Sequence, residues 1–431
     1  MRFLVITATY HPAINPNVFR WSAIAAQWVA QGHEVHVLCT HRSGSPDVEN
    51  INGVWVHRSG QNSLLDWVYN MLGLQRRRGE AGGDHPARQG RLRRALEKLV
   101  DLTWRSMYWP DGRCLWYLPG RRTALDLQSK HDFDLMISVG LPFTSHLIAG
   151  AVKRRFSAVR WVMDIEDPFC FSEEFYVNNF RLYRRLNYYA ESRVLQQCDA
   201  VTVTVEQARQ RYLEAFPWLA GKISVAPPVY SLPTTEGRPL KDTGGVLYLA
   251  YFGAFYHRIR TPDALLAVFD RLLALYPEWR HRLHLHFYGE IAPAFLPAFQ
   301  RYARLQPVLK LHGLVHRHAA AQAMSAADAL INVSNTTTYH LPSKCVDYLA
   351  SGLPVVNICY HQNDPFTEFM GDYPLHLPLV WKNGIDIDEL AKQLHHFLKQ
   401  QNGQTVPSET LRGRLEFYQP EVLAKMYLAF H

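Results

Sequence analysis

A chain of 431 residues is longer than one hydrophobic core usually serves, so two domains are expected, and 48% hydrophobic residues suffice to fill both. The formal charge of +8 is unevenly placed: between Arg76 and Lys98 eight Arg or Lys stand against three acids, a net +5, which leaves +3 for everything else. No run approaches the ~20 apolar residues of a spanning helix, the first residues lack a basic leader with a cleavage site, and six cysteines without a C-x-x-C pair or zinc spacing fit a reducing compartment; a cytoplasmic protein is expected.

The chain opens with RFLVITATY, a continuous apolar run suited to a strand buried on both faces. A loop over His11–Asn17 follows; Val18, Trp21, Ala25, Trp28 and Val29 then recur at helical spacing until Gly32, and HEVHVLC forms the next strand. This is a βαβ unit without G-x-G-x-x-G, which argues against a nicotinamide or flavin site. Residues 60–130 read as an insertion in which aromatic pieces, DWVYNML and LTWRSMYWPDGRCLWYLP, flank the basic segment. Those aromatics either lie on a membrane interface or pack a helical insertion onto the domain. The basic segment is either a solvated loop or a face toward an anionic membrane surface or a lipid-diphosphate acceptor. No nucleic-acid partner is expected, because no helix-turn-helix, zinc finger or RNP-like motif accompanies it.

DLMISVG reads as a strand, with a helix over Leu147–Arg155 behind it. The next strand, RWVMDIEDPF, ends in Asp164, Glu166 and Asp167. Carboxylates at a strand's carboxyl end face the ligand side of a doubly wound sheet, where a general base takes an acceptor proton; helix capping or a salt bridge would account for them equally. An amphipathic segment from Phe171 to Gln197, the strand AVTVTV, a helix beginning near Glu206 and the strand KISVAPPV complete a first domain over 1–232, and the Pro- and Gly-rich stretch 233–245 is a linker.

The second domain, 246–408, restarts with VLYLAYFG. Gly253 allows close backbone approach at the strand's end, and Arg258 and Arg260 lie in the loop before a helix that Thr261 caps and Pro262 opens. As more than surface arginines, two guanidiniums beside a glycine suit a diphosphate leaving group. His284, His286, His312, His316 and His318 lie on separate segments without convergent carboxylates, so no metal is expected. ALINV, SNTTT, a helix over Pro342–Ala350 and PVVNI then form a further βαβ unit. Its loop offers hydroxyls at Ser334, Thr336, Thr337 and Thr338, and the first-turn amides of Ser343, Lys344 and Cys345, with the Lys344 charge, favour an anion such as a diphosphate. Asp347, one turn on, can accept from the two hydroxyls of a ribose. Spacing alone allows an ordinary βαβ unit with a polar loop.

PSKCVDYLASGLPVV resembles the donor-site segment of retaining glycosyltransferases of family four, also called glycosyl transferases group 1. That family carries two glutamates eight positions apart; Asp347 stands in the second place, on the ribose, and Tyr339 in the first, so the acid that would touch the sugar is absent. The GHEVHVLCT strand and the HGLV turn are also similar to family segments, Arg260 matches the family's lysine after the first strand of this domain, and D-x-x-D-P favours Asp167 on the acceptor side. The resemblance implies an α/β architecture of two doubly wound, Rossmann-like domains facing a cleft (GT-B), with a terminal helix over 409–431 returning to the first domain. It implies metal-independent, retaining transfer from a UDP- or GDP-sugar to a glycan or lipid-linked acceptor, without a cofactor. Gly253, Arg258, Thr338, Tyr339, Ser343, Lys344 and Asp347 would bind the donor, and Arg260 and Asp167 would be catalytic. The alternatives are a non-catalytic partner subunit of a transferase, suggested by Tyr339, and a sugar-nucleotide epimerase of the same fold.

Overall fold

The computed structural model describes residues 1–13, 15–42, 44–60, 107–172, 177–230, 245–382 and 384–431. The basic segment Arg76–Lys98, the aromatic DWVYNML piece and all of the linker but Gly245 lie outside these residues. The contacts divide the chain into two units, Met1–Ala226 with Pro420–His431, and Pro227–Gln419.

In the first unit the apolar runs form one eight-stranded sheet: β1 (Arg2–Ile6), β2 (Glu34–Thr40), β3 (Val48–Ile51), β4 (Val54–Ser59), β5 (Leu135–Gly140), β6 (Arg160–Ile165), β7 (Ala200–Val203) and β8 (Ile223–Val225). Their order is β3-β4-β2-β1-β5-β6-β7-β8, parallel except where β3 meets β4. The helices are α1 (Pro16–Ala30), α2 (Tyr117–His131), α3 (Thr144–Arg155), α4 (Phe180–Gln197) and α5 (Glu206–Ala215). Asn15 caps α1 by accepting from the Val18 amide at 2.9 Å, Pro16 opens it, and Val18, Trp21, Ile24, Ala25 and Trp28 bury one stripe.

Two helices start elsewhere than local pattern suggests. Helix α3 begins at Thr144, three residues early, because Asp111 accepts from the Thr144 amide at 2.8 Å and from its hydroxyl at 3.0 Å. That cap comes from the WPD segment, which is distant in sequence. Of the amphipathic stretch from Phe171, residues 173–176 lie outside the described residues, and the helix α4 begins at Phe180, where Asn179 accepts from the Leu182 amide at 3.3 Å.

The second unit holds β9 (Leu247–Phe252), β10 (Leu283–Tyr288), β11 (Leu309–Gly313), β12 (Ala329–Val333), β13 (Val355–Cys359) and β14 (His376–Val380), all parallel, in the order β11-β10-β9-β12-β13-β14. Its helices are α6 (Asp263–Leu275), α7 (Leu296–Arg301), α8 (Arg317–Ala326), α9 (Cys345–Ala350), α10 (Pro365–Met370), α11 (Ile387–Gln400) and α12 (Ser408–Glu416). Successive residues of β9 join different cores: Leu247, Leu249 and Tyr251 pack with Phe269 of α6 and Leu394 of α11, whereas Ala250 and Phe252 pack with Tyr348 of α9 and Phe366 of α10. Both faces are therefore covered, which is why these strands read as unbroken apolar runs.

The expected terminal helix over 409–431 is two. Helix α12 belongs to the second unit, and α13 (Pro420–Leu428) packs on α1 of the first, with the Tyr427 ring 5.2 Å from Trp21 and the Trp28 indole donating to the Ala424 carbonyl at 3.1 Å. All six cysteines are free thiols, and no helix among the described residues is long and apolar enough to cross a membrane.

Candidate active site

The strand order of the second unit, with β9 as its first strand, runs 3-2-1-4-5-6 and reverses between β9 and β12. In open parallel sheets, ligands collect outside the carboxyl ends of the strands at such a reversal. Gly253 follows β9 there with φ +145°, and its amide donates to the Tyr288 carbonyl at 2.8 Å. Gly289 follows β10 at φ +140°; a Cβ on it would overlap the Gly253 carbonyl, and a Cβ on Gly253 would overlap the Lys344 ammonium. At position 253 a glycine leaves room for that ammonium, and at 289 for the Gly253 backbone.

Lys344 Nζ sits 5.1 Å from the centroid of the buried Tyr251 ring, and no described residue accepts a hydrogen bond from it. Burial, then the nearby Arg260 charge, hold its pKa well below the usual lysine range, against the opposing pull of Asp347. Arg260 is itself buried: its Nε donates to Asn335 Oδ1 at 3.0 Å, and its backbone closes a tight turn with Tyr256, whose amide donates to the Arg260 carbonyl at 2.7 Å. Burial pushes the Tyr251 phenol up to about 12, with Arg260 opposing. Two cations thus lie close together beside the end of β9, with Asp347 as the opposing charge on Lys344, an arrangement that favours an anion.

The Ser334–Thr338 loop is held from below. Ser334 donates to Asn357 Oδ1 at 2.9 Å and Asp364 Oδ2 at 3.0 Å, Asn332 donates to Asn357 Oδ1 at 2.7 Å, and all four side chains are buried. Thr336 donates to the Arg258 carbonyl at 3.2 Å, and Thr337 meets His340 Nδ1 at 2.7 Å. Thr338 is exposed and lines an open cavity of about 420 Å³ with Tyr360, His361 and Lys382. Tyr339 is half-buried against the His340 ring at 4.5 Å, Ser343 is exposed ahead of α9, and Asp347 is buried near Arg317, whose pKa burial lowers with Asp347 opposing.

In the first unit the three acids after β6 are not equivalent. Asp164 is buried and accepts from the Thr202 hydroxyl at 2.6 Å and the Tyr427 hydroxyl at 2.8 Å, with Arg20 3.8 Å away. Burial, then the Asp164 charge, push the Glu166 carboxyl well above the usual range. Asp167 is part-exposed beside it.

Residues 19–229 match the family model described as glycosyl transferase 4-like domain. They belong to that family. The glycosyl transferase 4-like domain thus covers the first unit from α1 to just beyond β8. No curated protein matches the sequence. Among solved structures the chain is similar to OtsA, a trehalose-6-phosphate synthase, at 13% identity and TM-score 0.62, covering 100% of this chain and 98% of that one. It is similar to WaaG, a glycosyltransferase involved in lipopolysaccharide biosynthesis, at 13% identity and TM-score 0.59, covering 99% of each chain. A UDP-forming alpha,alpha-trehalose-phosphate synthase from Burkholderia xenovorans, in complex with glucose-6-phosphate, gives 13% identity and TM-score 0.61 over 100% and 99%. The fold of two Rossmann-like units, shared with these GT-B glycosyltransferases, extends over the whole chain.

Several expectations change. Within the glycosyl transferase 4-like domain, Asp164 is committed to an internal lock with Arg20 and Tyr427, which leaves Glu166 and Asp167 as the acids at the strand end. In the second unit the helix expected from Pro342 begins only at Cys345 and runs six residues, because a turn intervenes; the Cys345 amide donates to the Pro342 carbonyl at 3.0 Å and is not available to a ligand. Ser334 and Thr337 are likewise buried and engaged within the protein, and Thr336, exposed like Thr338, donates to the Arg258 carbonyl. Arg258 is exposed while Arg260 points in, and α6 starts at Asp263 without a side-chain cap from Thr261. Asn335, Tyr251 and Gly289 went unnoticed in the sequence; of these only Gly289, a glycine directly after an apolar strand, carried a local signal.

Proposed function

We propose that the chain transfers a sugar, with retention and without a catalytic metal, from a UDP- or GDP-sugar to a hydroxyl of a glycan or lipid-linked acceptor. The observation that carries this is the Lys344 ammonium, lodged over Gly253 beside Arg260 with no hydrogen-bond acceptor among the described residues. An anion brought to these two cations meets charge already partly desolvated and held in place, so its developing charge is stabilised with little reorganisation. A diphosphate fits that requirement. As the bond from the sugar's anomeric carbon to the phosphate oxygen breaks, the electron pair passes to the phosphate, whose added charge Lys344 and Arg260 neutralise in the manner of a divalent ion. The acceptor oxygen bonds to the same carbon, and its proton passes to Asp167 or to the departing phosphate. Asp347 takes the ribose hydroxyls, with Thr338, Tyr339, Ser343 and Arg258 at the rim. Six free thiols support a cytoplasmic setting, and a lipid-linked acceptor would bring the chain to an anionic membrane surface.

Calorimetric titration of the purified chain with UDP, GDP and their sugars tests the reading. Saturable binding that Lys344→Met weakens is expected, and wild-type protein indifferent to every nucleotide would overturn it. A second reading, a partner subunit without chemistry, is favoured by Tyr339 standing where the family has an acid. Donor turnover by the isolated chain would dismiss it, whereas binding without hydrolysis or transfer would favour it.

A further inference from the structure

A second constellation lies in the first unit, at the amino-terminal end of β2 rather than at a carboxyl edge. Glu34 opens β2, His36 follows on the same strand, and His131 ends α2. His36 Nε2 lies 2.8 Å from Glu34 Oε1 and His131 Nδ1 lies 3.2 Å from the same oxygen; one ligating atom from each residue falls within 4.8 Å of the other two. The other nitrogen of His36, Nδ1, meets His57 Nε2 from β4 at 2.9 Å, with the two rings stacked. Phe133 backs both imidazoles, its ring 5.1 Å from His36 and 5.6 Å from His131. His36 is buried, whereas Glu34 and His131 keep 42% and 32% of their side chains exposed, so the cluster opens to solvent on one side.

We propose that Glu34, His36 and His131 form a binding site for a divalent first-row transition ion, with zinc the best match. Two imidazoles and one carboxylate are the mixed nitrogen and oxygen set such ions take. At bond lengths of about 2.0–2.2 Å, tetrahedral ligand atoms stand roughly 3.3 Å apart, so the 2.8 and 3.2 Å separations need open by only a few tenths of an ångström. The ion would bind Glu34 Oε1, His36 Nε2 and His131 Nδ1, with water in the fourth position on the exposed side. His57 supplies what a ligating histidine requires, a partner on the outer nitrogen that fixes ring and tautomer. The ion would tie the last residue of α2 to the first and third residues of β2, and it is independent of the nucleotide reading above, whose residues all lie elsewhere.

The test is calorimetric titration of the chelator-stripped full chain with Zn²⁺, paired with visible absorption on Co²⁺ loading, for wild type, Glu34→Gln, His131→Gln and His57→Gln. The doubly substituted His286→Gln/His312→Gln serves as control, because those rings also meet at 2.9 Å. Circular dichroism checks that each variant folds; Glu34 and His131 are exposed enough to be replaced without loss of core. One Zn²⁺ per chain is expected, with affinity lowered at least about tenfold in Glu34→Gln and His131→Gln, about tenfold in His57→Gln, and unchanged in the control. The absorption of low-coordinate Co²⁺ should vanish with Glu34→Gln. No stoichiometric Zn²⁺ at submillimolar concentration, or full affinity retained by both Glu34→Gln and His131→Gln, would show a hydrogen-bonded cluster only and overturn the proposal.

Discussion

Lys344 reaches over the end of β9 into the space that any side chain on residue 253 would need. Gly253→Ala should therefore act on the lysine as well as on the backbone, where φ +145° already disfavours an L-residue by about 1–3 kcal/mol. A folded protein with reduced thermal stability and nucleotide affinity lowered at least about tenfold is expected, since one lost charged contact amounts to about 1.5–3 kcal/mol. Calorimetry on the purified variant reads both, and wild-type affinity in Gly253→Ala would disconnect the glycine from the site.

Lys344→Met removes an ammonium that burial penalises and keeps the length of the chain that fills the gap. Stability of the free protein should hold or rise, measured by thermal unfolding, while turnover falls by about 10² or more. Arg260→Ala should lower turnover by a similar factor, and turnover near wild type would remove that residue from the reaction.

The charge state of Lys344 gives a pH dependence whose sign is fixed. Burial and Arg260 lower its pKa in the free protein, and a bound diphosphate would raise it again, so binding takes up a proton between the two values. Affinity should fall as pH rises through the free-state pKa. Titrations in two buffers of different ionisation enthalpy should report net proton uptake, lost in Lys344→Met; uptake of zero in wild type would contradict the assignment.

Asp347→Asn keeps shape and removes charge from a buried side chain close to Arg317 and Tyr230. A ribose contact predicts weaker nucleotide binding by about 1–2 kcal/mol, and an unaltered dissociation constant would count against it.

Tyr427→Phe deletes the hydroxyl that donates to Asp164 at 2.8 Å and accepts from Arg20 at 3.2 Å. Leaving two buried charged groups short of a partner should cost about 1–3 kcal/mol in denaturant unfolding, with nucleotide affinity unchanged. A shift in affinity without loss of stability would mean that Asp164 serves the ligand after all.

What could be read in advance followed from chemistry local to the chain. Strands buried on both faces write themselves as apolar runs, so RFLVI, LMISV, ALINV and VVNIC were each recognisable, and the reversal of strand order places Gly253 and Arg260 at the sheet's ligand edge. What could not be read depends on partners distant in sequence. Nothing around Thr144 announces that Asp111 will cap it, nothing in SNTTT says that Asn357 and Asp364 will claim Ser334 while Asn335 takes Arg260, and His36 and His131 share a carboxylate only once β2 and α2 have met.

Because Arg20, Trp28 and Asp164 find their partners in Tyr427 and Ala424, the amino-terminal core is finished by residues that leave the ribosome only after all of Pro227–Gln419 has been made. During synthesis the second unit can close on itself first, while a buried guanidinium and an indole upstream wait for their ligands. A nonsense codon at Pro420 would then leave the second unit whole and strip only the unit that is translated earliest.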